Sequence, residues 1–560
     1  MASDPADQAV EAPSKTSNEA ESHPHEEDDE AEAEGDEEEA EDDAAAEGGA
    51  EAGAEGAAKP AKKRKPRKKK KKAAGDSSTA VGPANTGSLQ SPVEVKDLPA
   101  LLKQLAMSNN APPKKEGKAP EDYKFWNTQP VPKFREPPNL LQTTTGGEDS
   151  LPEGAILPDE VCRKSVKPDP EPLLEGFEWC LVDLDDEAEL KELYDLLYNH
   201  YVEDTDGSFR FNYSAKFLAW ALKPPGYRKD WHIGVRTKST TEGGKPGKLV
   251  AFIAGVPATL RVRQATLNIS EINFLTVHRK LRAKRLAPVL IKEVTRRCYQ
   301  NGIYQALYTA GTLLPTPVTT ARYFHRSLDW EHLHATGFSH LPSGTTPLRQ
   351  KYKYRLESQT IIKGLRPMRR GDVPAVKALL ERFLARYSLR PEFEEAELEH
   401  WLCSPLSEGV VSSFVVEEAG TKEITDFVSY YLLESTVLKA TQPNQTIRAA
   451  YLYYYASTAA FPVPRQPLPK AAALQSTLQS RLQLLMHDAL VLAKKEDMHV
   501  FNALTIMENP LFLAEQKFEP GDGKLHYYLF NWRTAGVGGG VDEGMRVSEQ
   551  KMGGVGVTML

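Results

Sequence analysis

The sequence predicts an α/β fold made of two similar halves behind an N-terminal arm that does not fold. Three observations carry that prediction: composition changes near residue 90, helix and strand patterns recur about 186 positions apart, and one half alone has a basic loop between an apolar strand and a helix start.

The arm comes first. Residues 1–58 hold 22 acidic side chains against one lysine, and KPAKKRKPRKKKKK (59–72) follows with 11 positive charges. Such blocks bury too little apolar surface to offset the entropy of ordering. They also set the net charge of −8, since residues 73–560 carry about +2. No aromatic residue interrupts the lysine run, so it suits a polyanion such as RNA, a ribosome or anionic lipid better than stacked bases. A nuclear import receptor or a solvated spacer is the alternative use.

Cys162, Cys180, Cys298 and Cys403 are scattered, without CxxC or adjacent histidine spacing, which supports neither a zinc site nor a disulfide framework. The start lacks a basic region followed by an apolar core, and the uncharged run 449–464 contains proline and is too short to span a bilayer. A cytoplasmic protein without metal or prosthetic group is the expectation.

The elements then repeat in order. Asp186 and Asp372 each precede a helical stripe, Leu190, Leu193, Leu197 and Tyr201 in one, Val376, Leu379, Phe383 and Tyr387 in the other. A W-x-x-x-P segment follows each, at Trp220–Pro224 and Trp401–Pro405. Strand pairs come next, WHIGVRTK with KLVAFIAGVPATLRV and SSFVVEEA with EITDFVSYYLLEST. A helix and a strand follow in each half, PVLIKEVTRRCY then GIYQALYTAG, and LQLLMHDALVLAKKEDM then HVFNALTI. A further helix and strand should close each half near KYKYRLES and KLHYYLFNW. The resulting division is an arm, 1–90, and two halves, 91–357 and 358–560.

The halves differ before their central helices. NFLTVHRKLRAKRLAPVL crowds Arg279, Lys280, Arg282, Lys284 and Arg285 into one loop, with Pro288 suited to a first helical turn. Free N–H groups at a helix start, backed by cations, suit phosphates. The corresponding PVPRQPLPKAAALQSTLQ has only two cations, so a phosphate-bearing ligand belongs to the first half. Neither a Walker loop nor GxGxxG is present. A solvated basic surface remains the alternative.

DYKFWNTQPVPKF, EINFLTVHRKLRAKRLAPVLIKEVTRR, YTAGTLLPTPV, RYFHRSL, GDGKLHYYLFNW and the terminal GVGVTML together resemble the glycylpeptide N-tetradecanoyltransferases, the protein N-myristoyltransferases, over residues 90–560. The Met-Leu ending is most similar to fungal members. The resemblance implies two fused acetyltransferase-like (GNAT) halves with pseudo-twofold symmetry and transfer of myristate from myristoyl-CoA, a co-substrate, to an N-terminal glycine amine. On the matching motifs, Tyr123, Lys124, Phe125 and Trp126 would bind acyl-CoA with Leu275, Thr276, Val277, Ala283, Lys284, Arg285, Leu286 and Ala287. The backbone amides of Phe274 and Leu275 would form the oxyanion hole.

The resemblance also implies that the base is the C-terminal carboxylate, here that of Leu560. In water an α-carboxyl near ~3.5 and an α-amine near ~8 are mismatched by roughly 6 kcal/mol, so such a base works only when desolvated. An uncharged tail, GGVGVTML, could carry it inward. His278 and His325 are the side-chain alternatives. Glu203, Asp204 and Asp206 beside Phe209, Phe211 and Tyr213 could meet a basic, groove-bound peptide, or form a solvated turn. Asn273, Thr309, Gly311, Tyr323 and Asp522 match other peptide-contacting positions of the family. Glycine-starting nascent proteins are the expected partners, with the lysine run a ribosome tether. An acetyltransferase-like enzyme using another acyl-CoA or a lysine amine, and an RNA or ribosome adaptor, are the rival readings.

Overall fold

The computed structural model of the chain describes residues 123–134, 153–203, 207–239, 246–439, 445–462 and 470–560. The arm 1–90, its lysine run, Asp204 and Asp206 lie outside the described residues.

The first half runs β1 (Phe177–Leu181), α1 (Glu187–His200), β2 (Phe209–Asn212), α2 (Ala215–Leu222), β3 (His232–Thr237), β4 (Leu249–Val262), β5 (Ala265–Val277), α3 (Leu286–Gln300), β6 (Gln305–Ala310) and β7 (Thr319–Ser327), then α4 (Trp330–Ala335) and α5 (Pro347–Lys353). The second half runs β8 (Leu365–Pro367), α6 (Val373–Leu384), β9 (Leu389–Pro391), α7 (Glu395–Cys403), β10 (Val411–Glu417), β11 (Ile424–Val437), β12 (Thr446–Ser457), α8 (Ala471–Lys495), β13 (Val500–Leu504) and β14 (Glu519–Phe530).

Helix α1 starts where the aspartate directs. Asp186 Oδ1 accepts from the N–H groups of Ala188 (2.8 Å) and Glu189 (3.1 Å), satisfying two donors that a helix start leaves open. Its Leu193 and Leu197 are buried, as are Val376, Leu379 and Phe383 of α6. Asp372 differs in detail: its carboxylate turns back to the Arg366 guanidinium at 2.7 and 2.9 Å.

The strands lie in the order β1-β3-β4-β5-β6-β14-β7-β13-β12-β11-β10-β8, with β2 on β11 and β9 on β4, a 14-stranded sheet. Reading inward from either edge gives corresponding strands until the centre, where β14 of the second half lies between β6 and β7 of the first. The short strands β2 and β9 likewise cross to the opposite half. Backbone hydrogen bonding therefore interleaves the halves, and neither completes its sheet alone.

One expected strand is absent from its place. KYKYRLES alternates like a strand, yet Lys351–Lys353 end α5, because Thr346 caps that helix through Arg349 N–H and Pro347 fits its first turn. The closing strand of the first half is β7, before the two helices rather than after them.

Candidate active site

Two strand pairs in the sheet are parallel and short. β5 pairs with β6 only through Ile269–Glu271 against Gln305–Leu307, and β12 with β13 only through Ala449–Tyr451 against Val500–Asn502. Beyond those residues each pair parts, leaving one wedge per half.

The first wedge is open. It holds an apolar cavity of about 630 Å³, walled by Ile253, Ile272 and Leu275 from the sheet, Ile291 and Val294 from α3, and Tyr308 of β6. That volume suits a small ligand, and the lining suits hydrocarbon. The segment from Tyr123 covers one wall. Trp126 stacks on Tyr308 at 5.4 Å and 8°, Tyr308 stacks on Tyr528 at 5.0 Å and 15°, and Tyr123 Oη donates to Leu313 O at 3.0 Å. Tyr123 and Trp126 are buried, whereas Lys124 is exposed.

Where β5 leaves its partner it also bulges. Phe252 opposes Thr276 and Ala254 opposes Asn273, so Phe274 and Leu275 together face one residue, Ile253. Phe274 takes a φ of +58°, sparsely populated for a side chain of that size. The bulge turns the Phe274–Leu275 backbone out of register beside the apolar cavity, which Leu275 lines. Thr276 is buried and donates its hydroxyl to Phe274 O at 3.2 Å, and Val277 is buried at the strand end.

The basic loop follows at once. Ala283 and Arg285 have φ of +61° and +57°, left-handed backbone on either side of Lys284, just before α3. Lys280, Lys284 and Arg285 are exposed there, while Leu286 and Ala287 anchor the first helical turn in the core. Burial, then His278 and the cations Arg279, Lys248 and Arg282, push His200 down to about 4. The loop is thus an electropositive surface leading into α3, the helix whose Ile291 and Val294 line the apolar cavity.

The second wedge is filled by the chain's own C-terminus. Gly554 O accepts from Leu389 N–H (2.9 Å), Gly556 N–H donates to Leu389 O (2.7 Å), and Val555 O accepts from Met507 N–H (3.0 Å). Tyr527 Oη donates to Val557 O at 3.2 Å. Val555, Val557 and Met559 are buried. Close approach demands glycine here, since a Cβ on Gly556 would lie 2.5 Å from the Tyr387 ring.

Leu560 ends in a cavity of about 570 Å³ with Glu271, Leu307, Tyr453 and Tyr454. Alternation along the strands puts this cavity opposite the first. Ile272 and Tyr308 line the apolar cavity, and their neighbours Glu271 and Leu307 line the terminal one. Leu275 of the bulge lines the apolar cavity, and Glu271, earlier on the same strand, lines the terminal one. Burial pushes the Glu271 carboxyl up to about 7, against the Asn273 amide that donates to it at 2.8 Å.

The aromatic residues proposed for peptide contact gather near the same bulge. The Tyr213 and Phe274 rings meet edge to face at 5.4 Å, Phe211 lies 5.8 Å from Tyr213, and Phe209 and Phe211 line a third cavity of about 440 Å³ with His325 and Asn502. Tyr323 and Thr309 are buried in the adjoining strands; Gly311 is half-buried and Asp522 exposed. Glu203 is not a free acid, because its carboxylate accepts from both Arg210 and Arg279. Burial holds His278 and His325 below the usual histidine range.

Sequence reasoning missed Glu271, Ser429, Tyr454, Tyr527 and Thr558. A glutamate inside the apolar strand SEINFL was the one available signal. Among the described residues, no group of three His, Cys, Asp or Glu side chains could hold a metal, and no helix is long and apolar enough to cross a membrane.

Residues 157–321 match the family model "Myristoyl-CoA:protein N-myristoyltransferase, N-terminal domain" and residues 335–558 match the corresponding C-terminal domain. The chain is 52% identical over 441 residues to the glycylpeptide N-tetradecanoyltransferase of Emericella nidulans, covering 78% of this chain and 84% of that one. It is 45% identical to that of Candida albicans, covering 85% and 99%. A crystal structure of Saccharomyces cerevisiae N-myristoyltransferase with bound myristoyl-CoA is similar with a TM-score of 0.72 and 42% identity, over 79% of this chain and all of that one. Both halves are matched, the one with the open apolar wedge and the one with the plugged wedge: the chain belongs to the myristoyl-CoA:protein N-myristoyltransferase family of acyltransferases.

Proposed function

We propose that the chain transfers myristate from myristoyl-CoA to the N-terminal glycine of proteins by direct attack, with the Leu560 carboxylate as base and the Phe274 and Leu275 amides as oxyanion donors. In this reading the 91–357 half takes acyl-CoA, its phosphates on the basic loop and its chain in the apolar cavity. The peptide lies against both halves, on Phe209, Phe211, Tyr213 and Tyr323 of the first and on Asp522 of the 358–560 half, which carries the base. Acyl-CoA binds first.

One observation carries the reading: the apolar cavity and the terminal cavity lie on opposite faces of the same parting strands, and Leu275 of the bulge lines the first. A thioester carbonyl at the bulge has its alkyl chain on one side and the Leu560 terminus on the other. The glycine ammonium gives a proton to the carboxylate, and its nitrogen lone pair then forms the C–N bond. The carbonyl electrons move to oxygen, which in this reading the Phe274 and Leu275 N–H dipoles stabilise. Collapse restores the carbonyl and breaks the C–S bond, and the CoA thiolate takes the remaining amine proton. No acyl-enzyme is needed, and among the described residues the cysteines are structural in setting: burial pushes Cys298 up to about 12 and Cys180 to about 11.

Glu271 gauges the medium. Glu271, which lines the cavity where Leu560 ends, is pushed up to about 7 by burial. Desolvation there narrows the mismatch that makes a carboxylate a poor base in water.

We extend the proposal to a cytoplasmic monomer whose lysine run tethers it to ribosomes. Rapid mixing of enzyme and myristoyl-CoA with a glycine-starting or an alanine-starting peptide tests the chemistry by mass. Acylation of the glycine peptide alone, with no acylated protein at any time, is expected. An acyl-enzyme adduct would overturn direct attack.

A further inference from the structure

The sheet carries the same two-against-one bulge at corresponding places in both halves, finished differently. In the first half Phe274 and Leu275 face Ile253, which has no polar side-chain atom. In the second, Tyr453 and Tyr454 face Ser429. Ser429 Oγ accepts from Tyr454 N–H at 3.1 Å and donates to Tyr454 O at 2.9 Å. The backbone of the second bulge is therefore closed on a side chain, and its N–H is not available to a ligand.

What that bulge still presents is directed at the tail. Tyr453 O accepts from the Thr558 hydroxyl at 3.2 Å, and Tyr454 Oη accepts from Thr558 N–H at 3.1 Å. Ser429, Tyr453, Tyr454 and Thr558 are all buried, so water does not compete for these bonds. With Val557 held by Tyr527, only two residues beyond Thr558 remain to place the terminus. Each advances an extended chain by about 3.3 Å, which leaves the carboxylate little room to wander.

We propose that Tyr454, locked by Ser429, is a positioning residue for the Leu560 carboxylate, the counterpart of the oxyanion bulge turned to a second use. The inference rests on the carboxylate acting as base. Misplacing a reacting group by about 1 Å costs on the order of a hundredfold, so loosening one of these three hydrogen bonds should be visible in the rate.

The test is a cycle on the full chain, with Tyr454→Phe, deletion of Leu560, and both together. Single-turnover acyl transfer is read with a glycine peptide, alongside myristoyl-CoA affinity and melting temperature. Tyr454→Phe should slow the chemical step roughly three- to tenfold, the worth of one hydrogen bond, with acyl-CoA affinity unchanged. Ser429→Ala should act in the same direction. In the Leu560-deleted background Tyr454→Phe should cost nothing further, since the terminal carboxylate, now on Met559, stops one residue (about 3.3 Å) short of its place whether or not Thr558 is held. A wild-type rate for Tyr454→Phe while the deletion collapses turnover would overturn the positioning role and leave the base intact. An equal loss in both backgrounds would also overturn it. A deletion that turns over normally would instead remove the base on which the inference rests.

Discussion

The indole rings of Trp220 and Trp401 meet edge to face, their centroids 5.2 Å apart and their planes at 89°. They are counterparts in the repeat, one on α2 and one on α7, so the halves touch through the same residue of each copy. His400, beside Trp401, also pairs its Nε2 with Trp220 O at 2.8 Å.

Trp220 is fully buried. Trp220→Ala should lower stability by about 3–5 kcal/mol through the cavity it leaves. Half-buried Trp401 should cost less, and the double variant less than the sum because the rings share a contact. Urea midpoints of the two single variants and the double variant measure all three.

Gly556→Ala tests the route of the tail. Its new methyl would collide with the Tyr387 ring at 2.5 Å, and Tyr387 is itself buried. Turnover should fall by at least about tenfold through displacement of the terminus, while myristoyl-CoA affinity stays unchanged. Isothermal titration beside steady-state assays separates the two effects.

Lys284→Ala and Arg285→Ala should each weaken myristoyl-CoA binding by about three- to tenfold, the range of one charge-assisted contact at an exposed site. The loss should shrink as salt rises. Binding of free myristic acid, which has no phosphates, should not change. Titrations with both ligands at two ionic strengths check this.

Glu271 predicts a pH dependence. Its folded pKa, raised to about 7, lies above the ordinary ~4.3 of a glutamate, so the folded state holds a proton that the unfolded state releases. Its contribution is fully present below about pH 4.3 and is lost as pH rises through about 7. The melting temperature of wild type minus that of Glu271→Gln should therefore decrease from pH 4.5 to pH 7.5. Differential scanning calorimetry across that range gives the slope.

Local signals made much of this architecture legible. The stripes behind Asp186 and Asp372, the paired W-x-x-x-P segments and the charge of Arg279 to Arg285 are each written within about twenty residues, at periods that a helix or strand imposes. Features set by the backbone or by distant partners were not legible. The positive φ of Phe274 and the N–H groups beside it have no side-chain signature. Thr558 meets Tyr454 across 104 positions, and β14 inserts between β6 and β7 across some two hundred. KYKYRLES misled because a helix cap at Thr346 outweighed a short alternating pattern. Glu203 read as a free acid because its arginine partners, above all Arg279, come from another element.

The central claim is that a charge at the very end of the chain takes the proton from the attacking amine. Semisynthesis can replace the Leu560 carboxylate with a carboxamide, keeping every side chain and the tail contacts at Val555, Val557 and Thr558. In single turnover of enzyme preloaded with myristoyl-CoA, the amide-ended protein should bind acyl-CoA normally and transfer it to a glycine peptide at least about a hundredfold more slowly, as expected for loss of a general base. An amide-ended protein that acylates the peptide at the wild-type rate would contradict the account.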